Sequence, residues 1–297
     1  MVRLRRGAPS IWLRGPSLLL AFAISAPAGF ASAQAQAQAQ APAAVAEAPT
    51  YADLVDLAEP AAIVAVVVVK DQATVPTERA PGLAPGRARL YLEAQTQRVL
   101  KGPGALGESL AYLADVPLNA KGKPPKLRKQ AFLVFADPVA GNPGQLRLVK
   151  PDAQLVADPV LADRVRTVVE QLVARDAPPK ITGVADVISV AGNLAGESET
   201  QMSIKTAGGR PGSLTVIRRP NMAPTWGVSW SEIVDQSARP PQPGTLAWYR
   251  LACSLPSQLQ PDDFLQADDA GRQRARADYR FILDSLGPCV RTRSSGR

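Results

Sequence analysis

The sequence predicts an α+β chain that is mainly β, and three observations predict it. Short β-branched or alternating runs recur between residues 61 and 149 and again between 181 and 230. Gly/Pro-rich turns separate them, drawn from 22 glycines and 28 prolines. Sustained helical periodicity is confined to a few segments, of which 157–175 and 262–286 are the longest. The implied architecture is a β-rich part with a C-terminal helix, followed by a second β-rich domain closed by two helices.

The first 33 residues read as a signal peptide. Arg3, Arg5, Arg6 and Arg14 form a basic region, Ser17–Phe30 is apolar but broken by Pro27 and Gly29, and Ala31-Ser32-Ala33 is a small-x-small cleavage site. The run is too short and too interrupted to cross a bilayer as a helix. The expectation is an exported chain, periplasmic or extracellular; abundant proline and an excess of arginine over lysine fit a GC-rich bacterial source. Residues 34–50, an Ala/Gln repeat running into Ala/Pro, carry almost no large apolar residue and read as a disordered linker. No cysteine follows the signal, so no lipid attachment is expected there.

That signal carries half of the net charge. Lys+Arg number 34 against Asp+Glu 26, a net +8. Cleavage after Ala33 removes four arginines and no acid, leaving 30 − 26 = +4. So mild a balance, with only 5% aromatic residues, does not argue for nucleic acid as a partner.

The first β-rich part follows in order. Tyr51–Leu57 has the spacing of a short amphipathic helix ended by Pro60. Ala61–Val69 (AAIVAVVVV) is β-branched and uninterrupted, with the length of a buried strand and half that of a membrane span. In Arg87–Val99, Leu90, Leu92 and Ala94 alternate with Arg89, Tyr91 and Glu93, and the pattern then loosens across a bulge, which describes a strand with one wet face. Ser109–Leu113, Gln130–Ala136 and Gln145–Val149 complete the set. These residues (AAIVAVVVV, a strand ending in RVLKGPG, then SLAYL, FLVFADP and QLRLV) resemble the netrin-like domain, an OB-type small barrel shared with tissue inhibitors of metalloproteinases. The resemblance covers residues 51–175 and implies a closed small barrel. It does not imply metalloproteinase inhibition: those inhibitors act through an N-terminal cysteine that chelates zinc, and this segment has no cysteine.

Ala157–Arg175 is the clearest helix. Asp158 is a good N-cap, Pro159 suits the first turn, and Leu161, Val165, Val168, Val169, Leu172 and Val173 make one stripe. Pro178-Pro179 marks the boundary between a first domain, 51–177, and a second, 180–290, with 291–297 as a disordered tail. The second domain reads as strands at 181–190, 200–206, 213–219 and 226–230, a helix over 245–254 capped by Thr245, and a helix over 262–286 with Asp262 and Asp263 at its start. Cys253 and Cys289 form an even pair in an oxidising compartment, so a disulfide between them is expected.

Function is bounded mainly by what is missing. The chain has no histidine, which removes Ser-His-Asp and Cys-His catalysis and most zinc sites. GPGALGES at 102–109 has the glycines of a phosphate loop without its lysine. No cofactor or metal is expected. Three local features remain. Glu197 and Glu199 stand at a strand entry, as a polar turn or an acid–base pair, with Glu232 and Asp235 as further carboxylates. Lys121, Lys123, Lys126, Arg128 and Lys129 crowd one loop, as a solvated hairpin tip or a polyanion contact. Trp226, Trp230, Trp248 and Tyr249 serve either the core or a sugar-binding face. The expectation is a non-catalytic binding or accessory protein of the bacterial envelope, acting on an envelope protein or glycan. The alternative is a carboxylate-dependent hydrolase of envelope polymers.

Overall fold

The computed structural model describes residues 48–104, 106–231, 238–265 and 268–293. The signal segment, the linker up to residue 47, Glu232, Asp235 and residues 294–297 lie outside the described residues.

Helix α1 (Tyr51–Ala58) starts at a reciprocal cap: the Thr50 hydroxyl accepts the Asp53 N–H and the Asp53 carboxylate accepts the Thr50 N–H. Its other end is met by Lys101, whose ammonium donates to the Ala58 and Glu59 carbonyls at 2.9 and 3.3 Å, at the negative pole of the helix. Strand β1 (Ile63–Thr74) follows and pairs antiparallel with both β2 (Arg87–Lys101) and β4 (Ala131–Pro138). β2 pairs with β3 (Ser109–Pro117), β3 runs parallel to β5 (Gln145–Leu148), and β5 returns to β4. The ring β1-β2-β3-β5-β4 is thus closed, a five-strand barrel, and β6 (Gln154–Val156) extends the sheet beside β4. Register shifts in β1 at Val64/Ala65, Val66/Val67 and Val69/Asp71 supply the extra twist that closure needs.

Burial follows the sequence pattern. Ala88, Leu90, Leu92 and Ala94 of β2 and Leu110, Tyr112, Ala114 and Val116 of β3 point into the barrel while their neighbours face out. β4 is buried without interruption from Phe132 to Ala136, as a strand covered on both faces must be. Helix α2 (Pro159–Val173) has Asp158 as N-cap and buries Leu161, Val165, Val168 and Val169 on the barrel core. Val173, read from sequence as the end of that stripe, is 62% exposed, because the helix ends there and the last turn leaves the core.

The second sheet is an antiparallel meander, β7 (Ile181–Ala191), β8 (Ser198–Thr206), β9 (Ser213–Arg218) and β10 (Thr225–Ser229). Helix α3 (Leu246–Ser254), capped by Thr245, and helix α4 (Asp269–Leu286) join it around a core of Met202, Leu214, Val216, Trp226, Leu251 and Ile282. On β10 the chain must be glycine at 227, since a Cβ there would lie 2.2 Å from the Ala238 carbonyl. The last helix is shorter than its sequence suggested. Pro261–Asp263 forms one 3-10 turn, Phe264 bridges to Val187 as an extended residue, and Asp268, not Asp262 or Asp263, caps α4 through the Gly271 N–H. The break lies at Phe264, whose extended backbone bridges to Val187, with the Leu265 N–H donating to the Val187 carbonyl beside it.

α3 stitches the two cores together. Leu246 and Tyr249 belong to the barrel core, Leu251 to the second, and Trp248 packs on both while its ring N–H donates to the Leu286 carbonyl. Cys253 at the end of α3 is disulfide-bonded to Cys289, as expected. The bridge holds residues 290–293 against α1: Asp53 accepts from Thr292 N, Thr292 Oγ1 and Arg293 N, and Asp56 accepts from Tyr249 Oη and Arg291 Nε.

Burial alone would raise the Asp53 pKa, but the bonds from Thr50, Thr292 and Arg293 outweigh it and hold the carboxyl below its ordinary value. Glu59 is likewise lowered, burial being outweighed by Arg250 and Lys180. A depressed native pKa contributes stability that is complete above the ordinary carboxylate range and is lost as pH falls through the native values. The thermal midpoint is therefore expected to fall steadily between about pH 5 and about pH 2. Asp53→Asn should start less stable and show a flatter dependence; midpoints across that range check it.

Candidate functional site

Alternation on two adjacent strands builds the site. With Leu90 and Leu92 inside, β2 turns Arg89, Tyr91 and Glu93 outward, and β3 turns Ala111, Leu113 and Asp115 outward beside them. The register sets Tyr91 opposite Leu113, Arg89 opposite Asp115 and Glu93 opposite Ala111. Tyr91 and Leu113 are 37% and 47% exposed, an apolar pair standing on the outer wall of the barrel.

Next to this pair the wall opens. The parallel β3–β5 ladder covers Ala111 with Gln145 and Tyr112 with Leu146, and the next bond is from Asp115 N–H to the Pro151 carbonyl at 2.7 Å. Between those points Leu113-Ala114 stands opposite the longer segment Arg147–Lys150, so the second chain bows away. The result is a groove of about 500 Å³ bordered by Leu113, Leu146, Leu148, Val149, Val139 and Pro151. Its polar end is fixed: Arg89 donates from Nε and Nη2 to the two oxygens of Asp115 at 2.7 and 2.9 Å, a bidentate pair with Asp115 almost wholly buried. That pairing raises the Arg89 pKa further and neutralises its charge locally. Arg147 on the rim faces Asp137 at 3.7 Å, so Lys150 is the rim cation that forms no ion pair among the described residues. Two smaller depressions, of about 330 and 60 Å³, continue past Tyr91 towards Lys70, Glu93 and Asp71, so Tyr91 borders all three.

The lysine-rich loop flanks the far end of this belt. Asn119 closes its tip by accepting the N–H groups of Lys121 and Lys123, and Gln72 of β1 braces its base through Pro125 and Leu127. All five cations, Lys121, Lys123, Lys126, Arg128 and Lys129, are exposed. Arg128 reaches Asp71 at 3.6 Å; the four lysines form no ion pair among the described residues.

Glu197 and Glu199 sit elsewhere, at the β7–β8 turn, where both border a shallow depression of about 390 Å³ with Arg218 and Arg219. Each carboxylate already has a local role. Glu197 accepts the Leu194 N–H at 3.3 Å, and Glu199 accepts from Gln201 Nε2 at 2.7 Å. Trp226 and Trp230 do not border that depression. Trp226 is in the core, its ring N–H donating to Ser285 Oγ, and Tyr249 is buried at α3, its hydroxyl held by Asp56 and its pKa pushed up by burial and that contact.

Beneath the depression lies a polar cluster that sequence reading missed. Asp278 of α4, fully buried, accepts from Arg218 Nε at 2.6 Å and from the Thr200 hydroxyl, which also contacts Ser189 Oγ at 2.8 Å. No local pattern could have signalled it, because four elements contribute to it. The barrel groove had a usable signal, an outward Tyr91 and Leu113 on adjacent alternating strands. Among the described residues no three His, Cys, Asp or Glu side chains converge as metal ligands. Compared with protein-family models and with curated proteins, the chain matches none.

Proposed function

We propose that this chain is an exported, non-catalytic binding protein of the bacterial envelope, and that its partner docks in the groove between β3 and β5. The observation that carries this reading is the exposed Tyr91–Leu113 pair beside an apolar groove of about 500 Å³. Exposed aromatic and aliphatic side chains beside a concave surface are the usual anchor points of a binding interface. A ring in which the third and fifth strands run parallel also supports the OB-type, netrin-like reading, and OB barrels take their ligands across the face of strands 2 and 3. The cations at both ends, Lys150 on one side and the lysine loop on the other, favour an apolar segment flanked by acidic groups, on an envelope protein or an acidic glycan.

The test uses the full mature chain as bait on a periplasmic extract, beside Tyr91→Ala and Leu113→Glu. Both side chains are exposed, so both variants are expected to fold. A partner retained by the wild type should be reduced at least about tenfold by Leu113→Glu, the loss of a central anchor. An identical set of retained species on all three baits overturns the reading. The alternative, a carboxylate-dependent hydrolase, has one observation in its favour, the shared depression of Glu197 and Glu199. Their existing local hydrogen bonds make it the weaker choice.

A further inference from the structure

We infer that the cleft between α4 and residues 257–259 is a binding site for a phosphate or phosphomonoester, separate from the barrel groove. The cleft has a volume of about 260 Å³ and is lined by Ser257, Gln258, Leu259, Arg276, Tyr279 and Arg280. Arg276 and Arg280 lie one helical turn apart on α4, so both guanidinium groups serve the same concavity. Like charges at this spacing oppose helix formation unless an anion offsets them.

Among the described residues, neither Arg276 nor Arg280 has a carboxylate within ion-pair distance; Asp284, one turn beyond Arg280, forms no pair with it and does not line the cleft. The acids of the neighbouring segment have other work. Asp263 accepts the Gln260 N–H and faces Lys205 at 3.9 Å, and Asp268 caps α4. Arg276 is already restrained, its guanidinium 4.8 Å from the centre of the Phe264 ring. The floor is fixed as well, because the Tyr279 hydroxyl donates to the Pro256 carbonyl at 2.6 Å and ties the 256–259 segment to the helix.

The donor set selects the ligand. Two guanidinium forks, the Ser257 hydroxyl and the Gln258 amide present many N–H and O–H donors and no carboxylate, the pattern that suits a tetrahedral oxyanion with several acceptor oxygens. The cleft is larger than the ion itself, which leaves room for the body of an ester.

Inorganic phosphate titrated calorimetrically into the mature protein, against chloride at matched ionic strength, tests the site. The wild type should show saturable binding. Arg276→Gln and Arg280→Gln should each weaken it at least about tenfold, as loss of a charge-assisted fork does. Arg280→Lys should weaken it in part, keeping the charge and losing the fork. Tyr91→Ala should leave it unchanged, which separates this site from the groove. Circular dichroism confirms that these exposed-residue variants fold. Heat no greater than that of the chloride control, or binding that survives in both glutamine variants, overturns the proposal.

Discussion

Arg250→Ala is expected to cost about 3–5 kcal/mol, the range for removing one partner of a buried ion pair. Arg250 is 5% exposed and grips both oxygens of Glu59, at 2.5 and 3.1 Å, while its Nε donates to the Pro178 carbonyl. The pair joins α3 to the end of α1 and to the segment leading into β7, so its loss strikes the seam between the two cores. Lys180, 3.4 Å from Glu59 and largely exposed, offsets part of the uncompensated charge, which argues for the lower half of the range. Urea unfolding at pH 7 measures the effect. The double variant Glu59→Gln, Arg250→Met should cost clearly less than the two single changes summed, since no charge is then left buried. A single-variant loss below about 1 kcal/mol would place this pair with ordinary surface ion pairs and refute its role at the seam.

How much of this was legible in the sequence depended on distance along the chain. Strands β2 and β3 were legible because one face is wet and the other buried, so Leu90, Leu92 and Leu110 alternate with polar neighbours. β1 was legible for the opposite reason: covered on both sides through most of its first half, it is an unbroken apolar run. β6 was not, since Gln154–Val156 is too short to establish a period, and β4 supplies the partner that makes it a strand. The false extension of α4 has a related cause. Asp262, Asp263 and Phe264 fit a helix start locally, but pairing of the 264–265 backbone with Val187, far away in sequence, overrides that preference.

The same division holds for the sites. The lysine loop could be read as an exposed cationic tip because its composition alone excludes burial. Its neighbour could not, since only the β1–β2 pairing brings Lys70 and Tyr91 to one surface. Tyr91 and Leu113 beside the groove could be read from the alternation of β2 and β3, but the opening itself depends on where β3 and β5 part, which follows from the bond between Asp115 and Pro151. The phosphate cleft lay between these cases. The repeat Arg272, Arg276, Arg280 is visible in the sequence, but that Arg276 and Arg280 share a cleft with Ser257 is known only once the 256–259 segment is tied to Tyr279.

Removing the disulfide is expected to cost up to about 4 kcal/mol, from the chain-entropy cost of opening a closed loop of this length. Cys253 and Cys289 are 36 residues apart. That entropy belongs to the unfolded chain, but the bridge has a second consequence in the folded one. Cys289 is followed directly by Val290, Arg291, Thr292 and Arg293, whose carbonyl, guanidinium, hydroxyl and N–H groups meet Thr50, Asp56 and Asp53 of the α1 region. Without the bridge, that clasp must order a segment no longer tied to α3, and each of its bonds is weakened by the same conformational entropy. Asp53 then loses donors that hold its pKa down, and part of the acid sensitivity should go with them. Cys253→Ser and Cys289→Ser are therefore expected to be less stable at pH 7 and to show a flatter fall in thermal midpoint between about pH 5 and about pH 2. A pure unfolded-state effect would lower stability by nearly the same amount at every pH. The paired pH series on wild type and on either serine variant separates the two: parallel curves would remove the clasp from the account and leave chain entropy alone.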